Sequence, residues 1–139
     1  MLFRSDQGAV QAIPIVEVPN RYLAGITEVA LKNHYADKTN WQKMLKNDLP
    51  DVDLLKEKAS LKYLIPKEVQ EFYYPEKVDL LELHYPVLQY PSKVNSLNLD
   101  KSPNFFGKLM GIKGQYLIFE DGTVFNVRTF EGYVVKISI

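Results

Sequence analysis

Asp121-Gly122 lies between two five-residue runs, Tyr116-Leu117-Ile118-Phe119-Glu120 and Thr123-Val124-Phe125-Asn126-Val127, both rich in β-branched and aromatic residues. Strands of that composition need a tight reversal, and Asp-Gly supplies the positive φ values that a two-residue type I′ turn requires. A hairpin is therefore expected here, and it commits this end of the chain to building a sheet. Further short strands are expected over residues 105–112 and 133–139, with Gly111, Gly114 and Gly132 at the turns. A sheet of short strands leaves open edges, so it is expected to curl toward a small, partly open barrel or to dock on other elements.

The first half of the chain has a different period. Residues 10–18 (VQAIPIVEV) are β-rich with apolar residues on both faces, which predicts a buried strand, and Pro14 places it at an edge or a bulge. Asn20 is a good N-cap for a helix over residues 21–35, whose apolar positions Tyr22, Leu23, Ile26, Val29, Ala30 and Leu31 run nearly all round. Such a helix is expected to pack on more than one side, with Gly25 permitting close approach of a neighbour. Trp41, Met44 and Leu45 mark a second helix, Asp51 is a candidate cap for a third, and Pro66 suits the first position of a fourth. Beyond Pro75, Leu81, Leu83, Tyr85 and Val87 alternate with polar residues as in a strand entering a second lobe. The expected class is α+β: an N-terminal strand plus a helical lobe over residues 6–75, then a small antiparallel β-meander or partly open barrel over residues 76–139.

Composition narrows the function classes. The chain has 17 basic and 17 acidic residues, ten of each before Pro75 and seven of each after it. A strong nucleic-acid binder usually carries a basic surplus, because phosphate contacts supply much of its affinity. Neutrality leaves only a local basic face for that role. The absence of cysteine excludes disulfides, thiolate metal sites and cysteine nucleophiles for these residues. No apolar run reaches the ~20 residues of a membrane helix, so a cytoplasmic location without membrane partners is expected.

The segments GIKGQYLIFEDGTVFNVRTFEGYVVKI (residues 111–137) and DQGAVQAIPIVEVPNRYLAGITEVALK (residues 6–32) resemble the bacterial and archaeal family called domain of unknown function 2797. The family brings no settled activity with it. Its members usually begin with a longer N-terminal part, holding a cysteine-rich, zinc-binding segment and a strand-rich stretch reading like Lys-Val-Gly-Val-Thr-Arg. The resemblance therefore implies a truncated fragment in which residues 1–5 (MLFRS) are an artefactual start, and any zinc belongs to the part that precedes it. That missing part, with the first helix, is similar to GIY-YIG nucleases. Carried over residue by residue, Glu28 matches the metal-binding glutamate of those enzymes, with Leu31, His34 and Tyr35 fitting a Glu-x-x-Leu-x-x-His-aromatic run. The motif tyrosines, glycines and arginine have no counterpart.

The resemblance implies Mg²⁺ at Glu28 and phosphodiester chemistry in the full-length protein, while one carboxylate alone is no catalytic site. An ordinary i, i+4 pair of Glu28 with Lys32 is the competing reading. His34 and His84 have no carboxylate at ligand spacing, which favours a helix end and a solvent-facing strand position over metal binding. Tyr73, Tyr74, Tyr85, Tyr90, Tyr116, Phe119, Phe125, Phe130 and Tyr133 suit core packing of a small sheet, or base stacking. Lys101, Lys108, Lys113, Arg128 and Lys136 are interleaved with Glu120, Asp121 and Glu131, as on a mixed solvated face. Two functions stay open: a fragment of a nucleic-acid-binding or processing protein, contacting its target through Arg21, Lys32, Lys113 and Arg128, or a non-catalytic module that binds a protein or peptide.

Overall fold

The structure is a computed structural model that describes residues 7–35, 39–76 and 79–138. The expected artefactual start falls on residues 1–5, outside the described residues. The chain forms two compact units, one of Ala9–Asn40 and Leu49–Leu83, the other of Asp6–Gly8, Trp41–Asp48 and His84–Ile139. The class is mixed α+β, with a two-stranded sheet in the first unit and a four-stranded sheet in the second. No helix among the described residues is long and apolar enough to cross a membrane.

In the first unit, β1 (Gln11–Ala12) pairs antiparallel with β2 (Leu81–Glu82). The ladder is much shorter than the apolar run of residues 10–18 suggests. Beyond Ala12 that run makes only an isolated bridge, Val16 to Tyr73, supported by Glu17 N–H donating to the Phe72 carbonyl at 3.2 Å. Pro14 lacks an N–H and so cannot extend a regular ladder. Helix α1 (Arg21–Lys32) begins where Asn20 accepts the Leu23 N–H at 3.0 Å. Asp53 rather than Asp51 caps α3 (Leu54–Leu61), accepting from Leu55 and Lys56 N–H at 3.1 and 3.2 Å. Donation by the Lys56 N–H, with that from Leu55, holds the Asp53 carboxyl below its ordinary range. A 3₁₀ helix, Lys67–Phe72, follows Pro66. The buried apolar residues of this unit are Leu61, Ile65 and Val69. Lys58 is buried beside them, its ammonium 6.0 Å from the Tyr73 ring centroid while the Tyr73 hydroxyl donates to the Lys58 carbonyl at 3.0 Å.

Helix α1 is less enclosed than its apolar sequence predicts. Thr27 is its one buried residue, whereas Tyr22 and Val29 are 74% and 67% exposed. A Cβ built on Gly25 meets nothing within 4 Å, so this glycine serves no close approach among the described residues. Gly25→Ala is therefore expected to stabilise the chain by about 0.5–1 kcal/mol, because it removes backbone freedom from the unfolded state without a steric cost. Urea denaturation reads this as a higher midpoint at an unchanged slope.

The second unit is built on β3 (Asn95–Ser96), β4 (Leu109–Lys113), β5 (Tyr116–Phe119) and β6 (Thr123–Asn126) in the order β3-β6-β5-β4. The meander β4-β5-β6 is antiparallel, while β3 joins β6 in parallel and leaves the sheet open, not closed into a barrel. The hairpin sits where expected, but its turn is of another kind. Gly122 has φ of +83° while Asp121 keeps a negative φ, and Gly122 N–H donates to the Phe119 carbonyl at 3.0 Å. This is a three-residue loop, a type I turn followed by a left-handed glycine. Asp121 favours it because its carboxylate accepts both the Thr123 N–H at 2.8 Å and the Thr123 hydroxyl at 2.9 Å.

Helix α2 (Trp41–Leu45) belongs to this unit, where its Met44 and Leu45 form the core with Tyr116, Ile118 and Val124, and Trp41 stacks on Tyr116 at 6.2 Å. Val87 covers the free side of β4, its bridge to Gly111 flanked by Leu88 N–H donating to Met110 and Ile112 N–H donating to Pro86. The expected strand over residues 133–139 does not form. After a 3₁₀ turn at Val127–Phe130, residues 133–138 are in no ladder, and Ile139 lies outside the described residues.

Candidate functional site

Helix geometry puts Arg21, Gly25, Glu28 and Lys32 on one face of α1, since spacings of four, three and four return to nearly the same angle. Arg21, Glu28 and Lys32 are all exposed. The described residues contain no group of three or more His, Asp or Glu side chains that could hold a metal ion. Glu28 therefore lacks the companions a Mg²⁺ site requires, and the described residues do not fit the metal that the nuclease resemblance implies. His34, just past the end of α1, and His84 are both exposed.

Lys113 is the residue whose place departs furthest from the sequence reading. Instead of joining a basic surface strip, it is fully buried, with 0% of its surface exposed. Its ammonium donates to the Met44 carbonyl at 3.0 Å and to Asn47 Oδ1 at 3.2 Å, and lies 4.9 Å from the Tyr90 ring centroid and 5.7 Å from that of Tyr85. Asn47, the one non-glycine with positive φ among the described residues, turns the chain at the end of α2 and presents its amide oxygen to the lysine. Burial pulls the Lys113 ammonium below the ordinary lysine range. Two acceptors and two aromatic faces thus hold a cation, and that cation is unavailable to a phosphate. Arg128, by contrast, is exposed in the 3₁₀ turn that Asn126 caps by accepting the Arg128 and Thr129 N–H groups.

The parity of the hairpins carries the signal for Lys113. Gly114 (φ +58°) and Gln115 form the two-residue turn between β4 and β5, so Lys113 and Tyr116 face each other and share a side of the sheet. Tyr116 and Ile118 alternate onto the apolar side, and Lys113 must follow them.

The other side of the same sheet is also apolar. Register places Ile112, Leu117 and Phe125 in one row across β4, β5 and β6, with Leu109 and Phe119 paired beside it. Leu109 and Ile112 are 46% and 41% exposed, while Leu117, Phe119 and Phe125 are half-buried. Aromatic neighbours only partly cover this face: Phe105 meets Phe119 edge-on at 4.8 Å, Phe130 stacks on Phe125 at 5.3 Å, and Tyr133 meets Phe130 edge-on at 5.3 Å. A sheet with two apolar faces and one core has a face left for something else.

No curated protein and no solved structure matches the chain. The sequence pattern of one family, described as "Protein of unknown function (DUF2797)", matches residues 4–135, which takes in both units. The chain thus belongs to the DUF2797 family.

Proposed function

We propose that this chain is a non-catalytic binding module, and that the half-open apolar face of the four-stranded sheet is its contact surface for a protein. The observation that carries this reading is the row Ile112, Leu117 and Phe125, apolar and incompletely covered on the side of the sheet away from its core. Exposed β-structure of this composition is recognised through apolar area, with a few aromatic anchors carrying most of the affinity. A photo-crosslinking amino acid at Ile112 of the full chain is expected to give protein adducts of defined mass in cells, and one at exposed Ser102 none. Absence of adducts at position 112 contradicts the proposal.

Nucleic-acid binding is the second reading, supported by Arg21 and Lys32 sharing an exposed helix face and by exposed Arg128 in the turn that ends at Phe130. It predicts binding to single- or double-stranded oligonucleotides at low salt that weakens steeply as salt is added. If such binding is found and Arg21→Ala, Lys32→Ala and Arg128→Ala diminish it, this reading displaces the first. Cleavage in Mg²⁺ that is lost in Glu28→Ala would add the nuclease chemistry to it.

A further inference from the structure

Residues 131–138 (EGYVVKIS) follow the last 3₁₀ turn, and their anchoring and exposure are sharply different at the two ends. Tyr133 is fixed: its N–H donates to the Phe130 carbonyl at 3.1 Å, its hydroxyl donates to Asp100 Oδ1 at 2.8 Å, and its ring rests on Phe130. The next residues are apolar and open, with Val134, Val135 and Ile137 at 101%, 54% and 79% exposure. Among the described residues nothing accepts or donates a hydrogen bond to the backbone of residues 134–138. A β-branched segment with unused N–H and C=O groups, held at its base, is a strand awaiting a partner.

Charge selects the partner. Glu131 and Lys136 are both exposed and have no ion-pair partner among the described residues. In an antiparallel pair of this segment with itself, the register that sets Glu131 opposite Lys136 also sets Gly132 opposite Val135 and Tyr133 opposite Val134. A two-fold axis then makes the same contacts twice, so both ends of the pair carry opposite charges. We propose that the C-terminal segment pairs in this register with the same segment of a second copy, making a symmetric dimer. This deepens the binding-module reading and rests on it, naming the partner as the chain itself. Gly132, at φ +90°, turns the segment away from Phe130 and presents no side chain to Val135 of the second copy.

Sedimentation velocity over a concentration series of the full chain tests the proposal. A reversible dimer is expected, weakened about tenfold by Glu131→Lys or by Lys136→Glu, because each places like charges opposite one another twice per dimer. The double variant Glu131→Lys/Lys136→Glu restores the opposite-sign pairs and is expected to return to within about twofold of the parent. Circular dichroism melts should be the same for all four proteins, since both side chains are exposed. A chain that stays monomeric, single variants that dimerise like the parent, or a double variant that is not rescued each overturns the dimer. A monomer that still crosslinks other proteins through position 112 overturns the dimer alone and leaves the binding-module reading standing, whereas a dimer with no adducts at position 112 overturns the apolar sheet face as the contact surface.

Discussion

Lys113→Ala is expected to lower the unfolding free energy by about 4 kcal/mol, and Lys113→Met by about 2 kcal/mol. Both variants leave the Met44 carbonyl and Asn47 Oδ1 without the donor they share, inside a region that water does not reach. An acceptor stranded in that way typically costs about 1–3 kcal/mol, and removing the buried ammonium offsets part of it. Methionine keeps the length of the stem and fills most of its volume, whereas alanine adds a cavity between Met44 and the rings of Tyr85 and Tyr90. Urea denaturation separates the two terms. A Lys113→Met chain as stable as the parent means that the bonds to α2 and Asn47 do no more than balance the cost of burying the charge.

The same pair of proteins reports the ionisation of Lys113. Its folded-state pKa lies below the ordinary 10.5 because burial disfavours the charged form, so between that depressed value and 10.5 the unfolded chain binds more protons than the folded one. Stability should therefore rise with pH across this window in the parent relative to Lys113→Met, be fully present above 10.5, and be lost as pH falls through the folded pKa. Using Lys113→Met as the reference cancels the tyrosines. Among them Tyr133 shifts the opposite way, because its hydroxyl donates to the Asp100 carboxylate and is held above the usual tyrosine range. A difference between parent and variant that stays flat from neutral pH to 10.5 would show that the ammonium bonds and the aromatic faces compensate the burial in full.

Local chemistry made parts of the fold legible and tertiary partners hid the rest. The caps at Asn20 and the strands around Asp121-Gly122 could be read because a few neighbouring residues decide them. The turn type could not, since the choice between two and three loop residues depends on how the Asp121 carboxylate meets the Thr123 N–H and hydroxyl. Alternation over residues 133–137 marks a β-capable segment, but periodicity states a propensity and never names a partner, and no strand in the chain pairs with it. Strand β3, polar and two residues long, carries no pattern at all and exists because β6 has a free side. The apolar girth of α1 suggested full burial, which Tyr22 and Val29 contradict. Of the candidate contact residues, Arg21, Glu28 and Lys32 stay on one exposed face as their spacing dictates. Lys113 was misplaced by treating it as one of a row of cations, when counting outward from the Gly114-Gln115 turn puts it inside.

Gly122→Ala is expected to cost about 3 kcal/mol, clearly more than the same change at Gly132. Both glycines have left-handed backbones, φ +83° and +90°, so an L side chain strains each by a similar amount, about 1 kcal/mol. They differ in what surrounds them. A Cβ at Gly132 meets nothing within 4 Å, whereas a Cβ at Gly122 collides with the Lys93 backbone carbonyl, which is no flexible side-chain end that could swing aside. The chain at Lys93 must then move, and it leads directly into β3, where Asn95 N–H donates to the Gly122 carbonyl at 3.0 Å and Asn95 pairs with Thr123. Loss of that parallel edge is the expected structural consequence, seen as faster amide exchange at Asn95 and Leu97, whose N–H donates to Val124, while the β4-β5 amides keep their protection. Equal destabilisation by Gly122→Ala and Gly132→Ala would show that backbone strain alone fixes glycine at the hairpin and that Lys93 yields at no cost.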